Sequence, residues 1–369
     1  MIAGTNVRLN SAEGMDKITL TEKVTSPYFS GGGTELLASS IVSESISDTN
    51  ETYYFGIANS STSTTTEFHV AYGNRNGKGG DSDTDDVKSP TEVIYKQFAN
   101  LLLPAQAVTG GFFISSQGTS AVQTAADDDI YVLLAERSLM KDRLNKKNWT
   151  ITLSGSNTVA AAAPKLVLTD DSANSQPTAT PVGDRYNIVS GSDGTVVTAS
   201  SYKTYGHYYP DMGLLVFSGA ELSASIPGSG SQKNTVAAHG AGTDATAKKF
   251  QGFAAPTVEN ANYKTALKFI NCLRVTGGKL KFRDEEDQVS AQYFCRAKAG
   301  QFNFSNNPTF VSGSQNELRH TTMKGNPTTF ISSVQLYNGT GDMVAVGNLS
   351  TPLKKNFSTE ATIKVKLTY

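Results

Sequence analysis

The order of apolar and polar positions predicts a chain made mostly of strands. In Ile363-Lys364-Val365-Lys366-Leu367-Thr368-Tyr369 the two kinds alternate strictly, so a strand here has one buried pleated face and one face carrying lysines. Upstream, Thr329 to Tyr337 and Met343 to Gly347 are apolar, β-branched runs separated by Asn338-Gly339-Thr340-Gly341-Asp342, a connection rich in residues that tolerate positive φ. That pattern predicts a hairpin. Further strands are expected at Thr52 to Ile57, Phe68 to Tyr72, Ile130 to Leu134, Trp149 to Leu153, Arg185 to Ser190 and Gly213 to Phe217. One helix is clearly signalled near 90–102: Ser89 is placed as N-cap, Pro90 as the first helical residue and Glu92 as the partner in a capping box. Val93, Ile94, Phe98, Leu101 and Leu102 then recur at helical spacing until Pro104 stops the run, so one face should be buried.

These elements predict an α+β fold, predominantly β, with several lobes, antiparallel sheets and a β-rich C-terminal lobe. Residues 1–50 are polar, rich in Ser and Thr and broken by Gly31-Gly32-Gly33. They fit an arm that orders against a neighbour, a solvated tail or a local part of the first lobe. Residues 51–160 read as a mixed α+β lobe and 161–254 as a loop-rich β segment or insertion. Residues 255–369 read as the C-terminal β lobe. Ala-, Thr- and Pro-rich residues from about 156 to 184 and Gly-, Ser- and Ala-rich residues from about 219 to 249 mark long loops. No repeat of twenty to fifty residues points to a solenoid, propeller or fibre shaft.

Several phrases occur in a fixed order: Thr91 to Leu103; Asp129-Ile130-Tyr131-Val132 through Lys141-Asp142-Arg143-Leu144 to Asn148-Trp149-Thr150; Tyr186 to Ser192; and Tyr205 to Gly213. They continue through Phe302-Asn303-Phe304-Ser305-Asn306-Asn307-Pro308-Thr309-Phe310, Thr329-Phe330-Ile331, Leu336-Tyr337-Asn338, Val344 to Ser350, Pro352 to Phe357 and Ile363-Lys364-Val365. Together they are spread over residues 91–365 and resemble large virion structural proteins, of the tail or baseplate, in contractile-tailed (myovirus-like) bacteriophages. The resemblance implies a place in the virion tail or baseplate after synthesis in the host cytoplasm. Its implied partners are other tail or baseplate proteins and further copies of this chain in a symmetric assembly. The phrases are scaffold signatures and carry no chemical mechanism.

Lys+Arg 32 against Asp+Glu 33 leaves a formal net charge of −1, which gives no electrostatic case for nucleic acid or an anionic membrane as partner. The longest apolar runs fall far short of the ~20 residues of a membrane helix. The opening Met1-Ile2-Ala3-Gly4-Thr5-Asn6 lacks the basic head and apolar core of a signal peptide, so a soluble, unexported protein is expected. Cys272 and Cys295 lie inside apolar segments and match no zinc spacing, so they read as buried free thiols.

The sharpest candidate for chemistry is Asp81-Ser82-Asp83-Thr84-Asp85-Asp86 with Glu92, since acids at positions one, three, five and twelve are the calcium-ligand spacing of an EF-hand loop. Asp86 stands where that loop needs Gly and Glu92 is already used in the capping box, so a solvated acidic loop is the simpler reading. Asp127-Asp128-Asp129 reads as an acidic turn. Gly73-Asn74-Arg75-Asn76-Gly77-Lys78-Gly79 is one residue short of a phosphate loop and lacks its terminal Ser or Thr. His69, His207, His239 and His320 are scattered and form no catalytic motif. Tyr202, Tyr205, His207, Tyr208 and Tyr209 could stack on a sugar, but tyrosines suit core or interface packing equally well. Asn148-Trp149-Thr150 has glycosylation spacing and reads as a strand start.

No catalytic, cofactor-binding or metal-ligating residue is therefore assigned, and no cofactor is expected. The expectation is a non-enzymatic component of a contractile tail, in the baseplate wedge. A neck or other virion position and a host-surface glycan-binding tail protein are the alternatives. A glycan hydrolase would have to bring Asp127, Asp128, Asp129, Glu285 and Glu286 together through the fold.

Overall fold

The computed structural model describes residues 17–28, 36–37, 41–43, 54–59, 66–77, 90–114, 126–154, 165–197, 203–225, 266, 269–270, 272–273 and 278–369. The chain divides into a larger unit, Val24–Glu286, and a smaller one formed by Met1–Lys23 with Asp287–Tyr369. It passes between them within two strands, at 23/24 and at 286/287.

In chain order the elements are β1 (Lys17–Tyr28), β2 (Leu36–Leu37), β3 (Ile41–Ser43), β4 (Tyr54–Asn59), β5 (Thr66–Asn74), α1 (Pro90–Leu102), β6 (Asp129–Ala135), β7 (Arg143–Leu144), β8 (Thr150–Ser154) and β9 (Lys165–Asp170). There follow β10 (Thr178–Thr180), β11 (Gly183–Ser192), β12 (Thr195–Val196), β13 (Thr204–Tyr209), β14 (Leu214–Ser218), α2 (Gly219–Ser225), β15 (Lys279–Lys281) and β16 (Arg283–Ala297). The last are β17 (Val311–Ser312), β18 (Glu317–Leu318), β19 (Thr329–Tyr337), β20 (Met343–Lys355) and β21 (Ala361–Thr368). The protein is α+β and predominantly β, with antiparallel sheets and one long helix, as its periodicity predicts.

The larger unit is organised on a 13-stranded sheet ordered β2-β15-β8-β9-β11-β13-β14-β6-β5-β4-β3, with β10 and β12 appended to β11. It takes strands from both the 51–160 and the 161–254 stretches. The central strands are apolar without alternation, as in Ile130-Tyr131-Val132-Leu133-Leu134 and Leu214-Leu215-Val216-Phe217, because both faces are covered. One face directs Phe68, Val70, Tyr72, Tyr131, Leu133, Leu215 and Phe217 into a large core. Trp149 stacks on Phe282 there at 5.1 Å between ring centroids, and Phe269 on Tyr131 at 5.8 Å. The other face directs Ala71, Ile130, Val132, Leu214 and Val216 against α1.

The helix covers that face with Ile94, Tyr95, Phe98, Ala99 and Leu102. Val93 and Leu101, which the spacing also places on the apolar side, lie at its margin and are exposed. Gly73 lets the helix come close: a Cβ there would lie 2.9 Å from the Tyr95 backbone nitrogen. The N-cap Ser89 lies outside the described residues, and Glu92 pairs with Lys96 one turn on. The stretches read as loops also contain regular structure, since 156–184 includes β9 and β10 and 219–249 opens with α2. Ala266, Phe269, Ile270, Cys272 and Leu273 are buried at helical backbone positions, although the sequence from 255 onward reads as strand.

In the smaller unit β21 runs antiparallel to β16 from Ser290↔Thr368 to Ala297↔Ala361. The hairpin β19–β20 forms a separate two-stranded sheet. Among the described residues no helix is long and apolar enough to cross a membrane.

Candidate assembly surface

The hairpin occupies the positions predicted for it, but β20 continues to Lys355. Its 13 residues oppose 9 in β19, and the excess falls at register shifts between Ile331 and Ser333 and between Leu336 and Tyr337. Opposite the first shift β20 jumps from Leu353 to Asn348, leaving Ser332 outside the ladder, and opposite the second from Ala345 to Met343, so the extra residues of both irregularities lie in β20.

At the tip, Asn338 Oδ1 accepts hydrogen bonds from the backbone N–H of Thr340 (3.1 Å) and of Asp342 (2.8 Å), and from the Thr340 hydroxyl (2.7 Å). The Asp342 carboxylate accepts from Thr340 (2.6 Å) and Asn338 (3.1 Å), and these two bonds hold its pKa below the usual carboxylate value. The loop is therefore an internally bonded Asx turn.

The base is fixed by a lysine without solvent exposure. Lys355 donates from Nζ to the Ala299 carbonyl (3.0 Å), Asn303 Oδ1 (2.9 Å) and the Asn356 carbonyl (2.8 Å). Asn303 Nδ2 donates to the same Ala299 carbonyl at 2.6 Å, and the Thr329 hydroxyl donates to the Phe302 carbonyl at 2.5 Å. Phe302 adopts φ 55°, and Phe304 meets Phe310 edge-on at 5.6 Å. Two phrases that stand far apart in the sequence, Phe302 to Phe310 and Pro352 to Phe357, thus meet around one ammonium group.

Little apolar surface is buried within this unit. Its buried apolar residues are Ala291, Ala297, Phe310, Val311 and Ala361. Exposed instead are Phe330 (62%), Val344 (61%), Met343 (56%), Val346 (56%) and Tyr337 (53%), all on the hairpin, with Phe357 (51%) beside its base. The alternation of β21 leaves Ile363, Val365 and Leu367 only half-buried, with Lys364 and Lys366 exposed on the other face.

The residues singled out for chemistry are placed elsewhere. Asp81 to Asp86, Tyr202 and His239 lie outside the described residues. Asp127 and Asp129 are buried beside β6. Asp127 accepts from the Ile114 N–H (2.9 Å) and the Ser218 hydroxyl (2.5 Å), and Asp129 accepts from Asn74 (2.8 Å) and the Tyr72 hydroxyl. Glu285 accepts from Arg143 Nε and Asn145 Nδ2, both at 2.5 Å, and Glu286 pairs with Lys141 at 3.4 Å. Asp128 is exposed, and the acids at 127 and 129 and those at 285 and 286 accept from different partners.

Tyr205, Tyr208 and Tyr209 are buried, so their rings offer no open platform. His207 is buried too, and burial, with the nearby Arg185 charge, pushes its pKa well below the ordinary value. His69, two strands beyond β14, pairs with Glu136 at 3.1 Å and lowers that carboxyl's pKa. Gly73 and Asn74 end β5, and Gly77 closes a turn onto Asn74 at φ 74°. Neither Cys272 nor Cys295 is in a disulfide; Cys272 is buried as expected, and Cys295 is only half-buried. Among the described residues no group of three metal-ligating side chains gathers.

No family model, curated protein or solved structure matches this chain.

Proposed function

We propose that this chain is a structural component of a contractile bacteriophage tail, in the wedge of the baseplate, and that it works through subunit interfaces without catalysing a reaction. The observation that carries this reading is the imbalance in the smaller unit. Six large apolar side chains, Phe330, Tyr337, Met343, Val344, Val346 and Phe357, are each more than half exposed, while among the described residues of this unit Phe310 and Val311 are the only buried apolar side chains larger than alanine. Large apolar side chains left exposed on both faces of one hairpin suit protein–protein contacts. Both ends of the hairpin are rigid, by the Asn338 turn and by Lys355. Covering these side chains would contribute roughly 1 kcal/mol each, since each is already partly buried. Association itself costs about 4–15 kcal/mol, which contacts of this kind repeated through a symmetric assembly help to offset.

The resemblance to contractile-tail proteins supports the same reading, because phrases that carry it supply the hairpin strands and its anchor. A density map of intact particles tests it. The chain should occupy the tail end, with the hairpin covered by a neighbour. Finding it only in the capsid, or in no virion, would sink the proposal.

A further inference from the structure

The edges of the smaller unit differ in one respect. Exposed, unpaired strand edges recruit other strands, and proteins blunt them with lysines, proline or bulges. β1 carries exposed Lys17, Glu22 and Lys23, and β21 carries exposed Lys364 and Lys366. β20 has two bulges and Pro352. β19, Thr-Phe-Ile-Ser-Ser-Val-Gln-Leu-Tyr, has no charge, no proline and no glycine, and the extra residues at its two register shifts lie in β20. Its partner in the ladder is β20 alone, and no backbone hydrogen bond leaves Phe330 to Tyr337 for another element among the described residues. Every second residue of β19 therefore turns its N–H and C=O outward.

We propose that β19 is a self-pairing edge: it joins antiparallel to β19 of a second copy across a twofold axis at Ser333. This proposal rests on the assembly reading and names its partner. The sequence of β19 suits its own reverse. Centring on Ser333 sets Phe330 opposite Leu336 of the partner subunit and Ser332 opposite Val334 of the partner subunit. It also sets Ile331 opposite Gln335 of the partner subunit. No like charges meet. The same operation on β21 would set Lys364 against Lys366 of the partner subunit, which is why that edge does not serve. Pairing gives a four-stranded sheet in place of an isolated ribbon, which is marginal alone.

The test uses the full chain. At the axis the two Ser333 Cα atoms would be about 4.5–5.5 Å apart, inside the disulfide window of about 4.4–6.8 Å. In a Cys295→Ser background, Ser333→Cys should form a covalent dimer on mild oxidation. Gln335→Cys, with copies offset by four residues or ~13 Å, should not. Sedimentation should give a dimer for the parent chain. Ser333→Lys opposes two ammonium groups and should weaken it at least about tenfold, with unchanged circular dichroism. A parent chain that stays monomeric at its highest soluble concentration, a dimer indifferent to Ser333→Lys, or equal crosslinking of both cysteine variants would overturn the proposal. So would Ser333→Cys crosslinking to a different protein in particles. A monomeric chain that nevertheless maps to the tail refutes self-pairing while leaving the assembly reading standing. A β19-paired dimer absent from virions does the reverse.

Discussion

Replacing Lys355 by Met tests whether the buried ammonium organises the hairpin base. Methionine keeps most of the apolar stem and removes the donor, leaving Ala299 O, Asn303 Oδ1 and Asn356 O without the partner now found at 3.0, 2.9 and 2.8 Å. Hydrogen bonds to a charged group contribute about 1.5–3 kcal/mol each. The variant leaves three neutral acceptors buried without a partner, at about 1–3 kcal/mol each, partly offset by the ammonium no longer being desolvated, so a net loss of about 3–5 kcal/mol is expected. At 1.4 kcal/mol per factor of ten, local opening should become roughly 100- to 4,000-fold more frequent. Hydrogen exchange reads this directly. The amides of Gln301, Phe310 and Thr359, bonded at 2.9, 2.8 and 3.2 Å to Lys298, Asn307 and Asn356, should lose protection by that factor. Those of Val70 and Leu133 in the larger unit should keep theirs. Lys354→Met, at the exposed neighbouring position, is the control and should change nothing. Unchanged exchange at Gln301 and Thr359 in Lys355→Met would refute the reasoning.

Three other outcomes are expected. Because the folded-state pKa of His207 is depressed, its contribution is present above the unfolded pKa of about 6.5 and is lost as pH falls toward the folded value. Urea unfolding at descending pH should therefore show a steepening loss below that point, and His207→Gln should reduce the slope by up to about 1.4 kcal/mol per pH unit. Gly73→Ala forces a methyl against the α1 backbone and should cost about 1–3 kcal/mol in thermal unfolding, whereas Gly339→Ala, with open space around it, should lie within about 0.5 kcal/mol of the parent. Asn338→Ala removes the acceptor of three turn hydrogen bonds, and NMR order parameters should fall at Gly339 to Gly341 while β19 stays ordered.

Local chemistry explains which parts were legible. Pro90 and Pro104 bracket a helix whose bounds, Pro90–Leu102, match the expectation, and the loop Asn338 to Asp342 forces a hairpin whatever surrounds it. The charged first half of β16, Arg283-Asp284-Glu285-Glu286-Asp287, gives no strand signal, because its burial depends on Arg143, Asn145 and the Lys141 N–H arriving from far back in the chain. Asp170 and Asp171 are hidden for the same reason: Lys147 and Asn187 satisfy them in three dimensions. Lys355 follows Leu353-Lys354, where periodicity gives no reason to bury a cation, and its acceptors include a carbonyl held by the unusual backbone around Phe302. The exposed face of the hairpin was the converse case. Alternation predicts burial, and within one chain β21 is only half covered.

The strand order of the large sheet also bears on how the protein is made. Lys279–Lys281 lies between β8 and β2, with Lys279 opposite both Thr152 and Leu37. During synthesis, β8 (Thr-Ile-Thr-Leu-Ser) waits with an uncharged edge open until residues near 281 leave the ribosome. Pairings this distant in sequence are slow to close, and an open edge is where nascent chains aggregate. Translation that stalls before β15 should therefore leave more insoluble product than translation that continues past it, which covers the β8 edge.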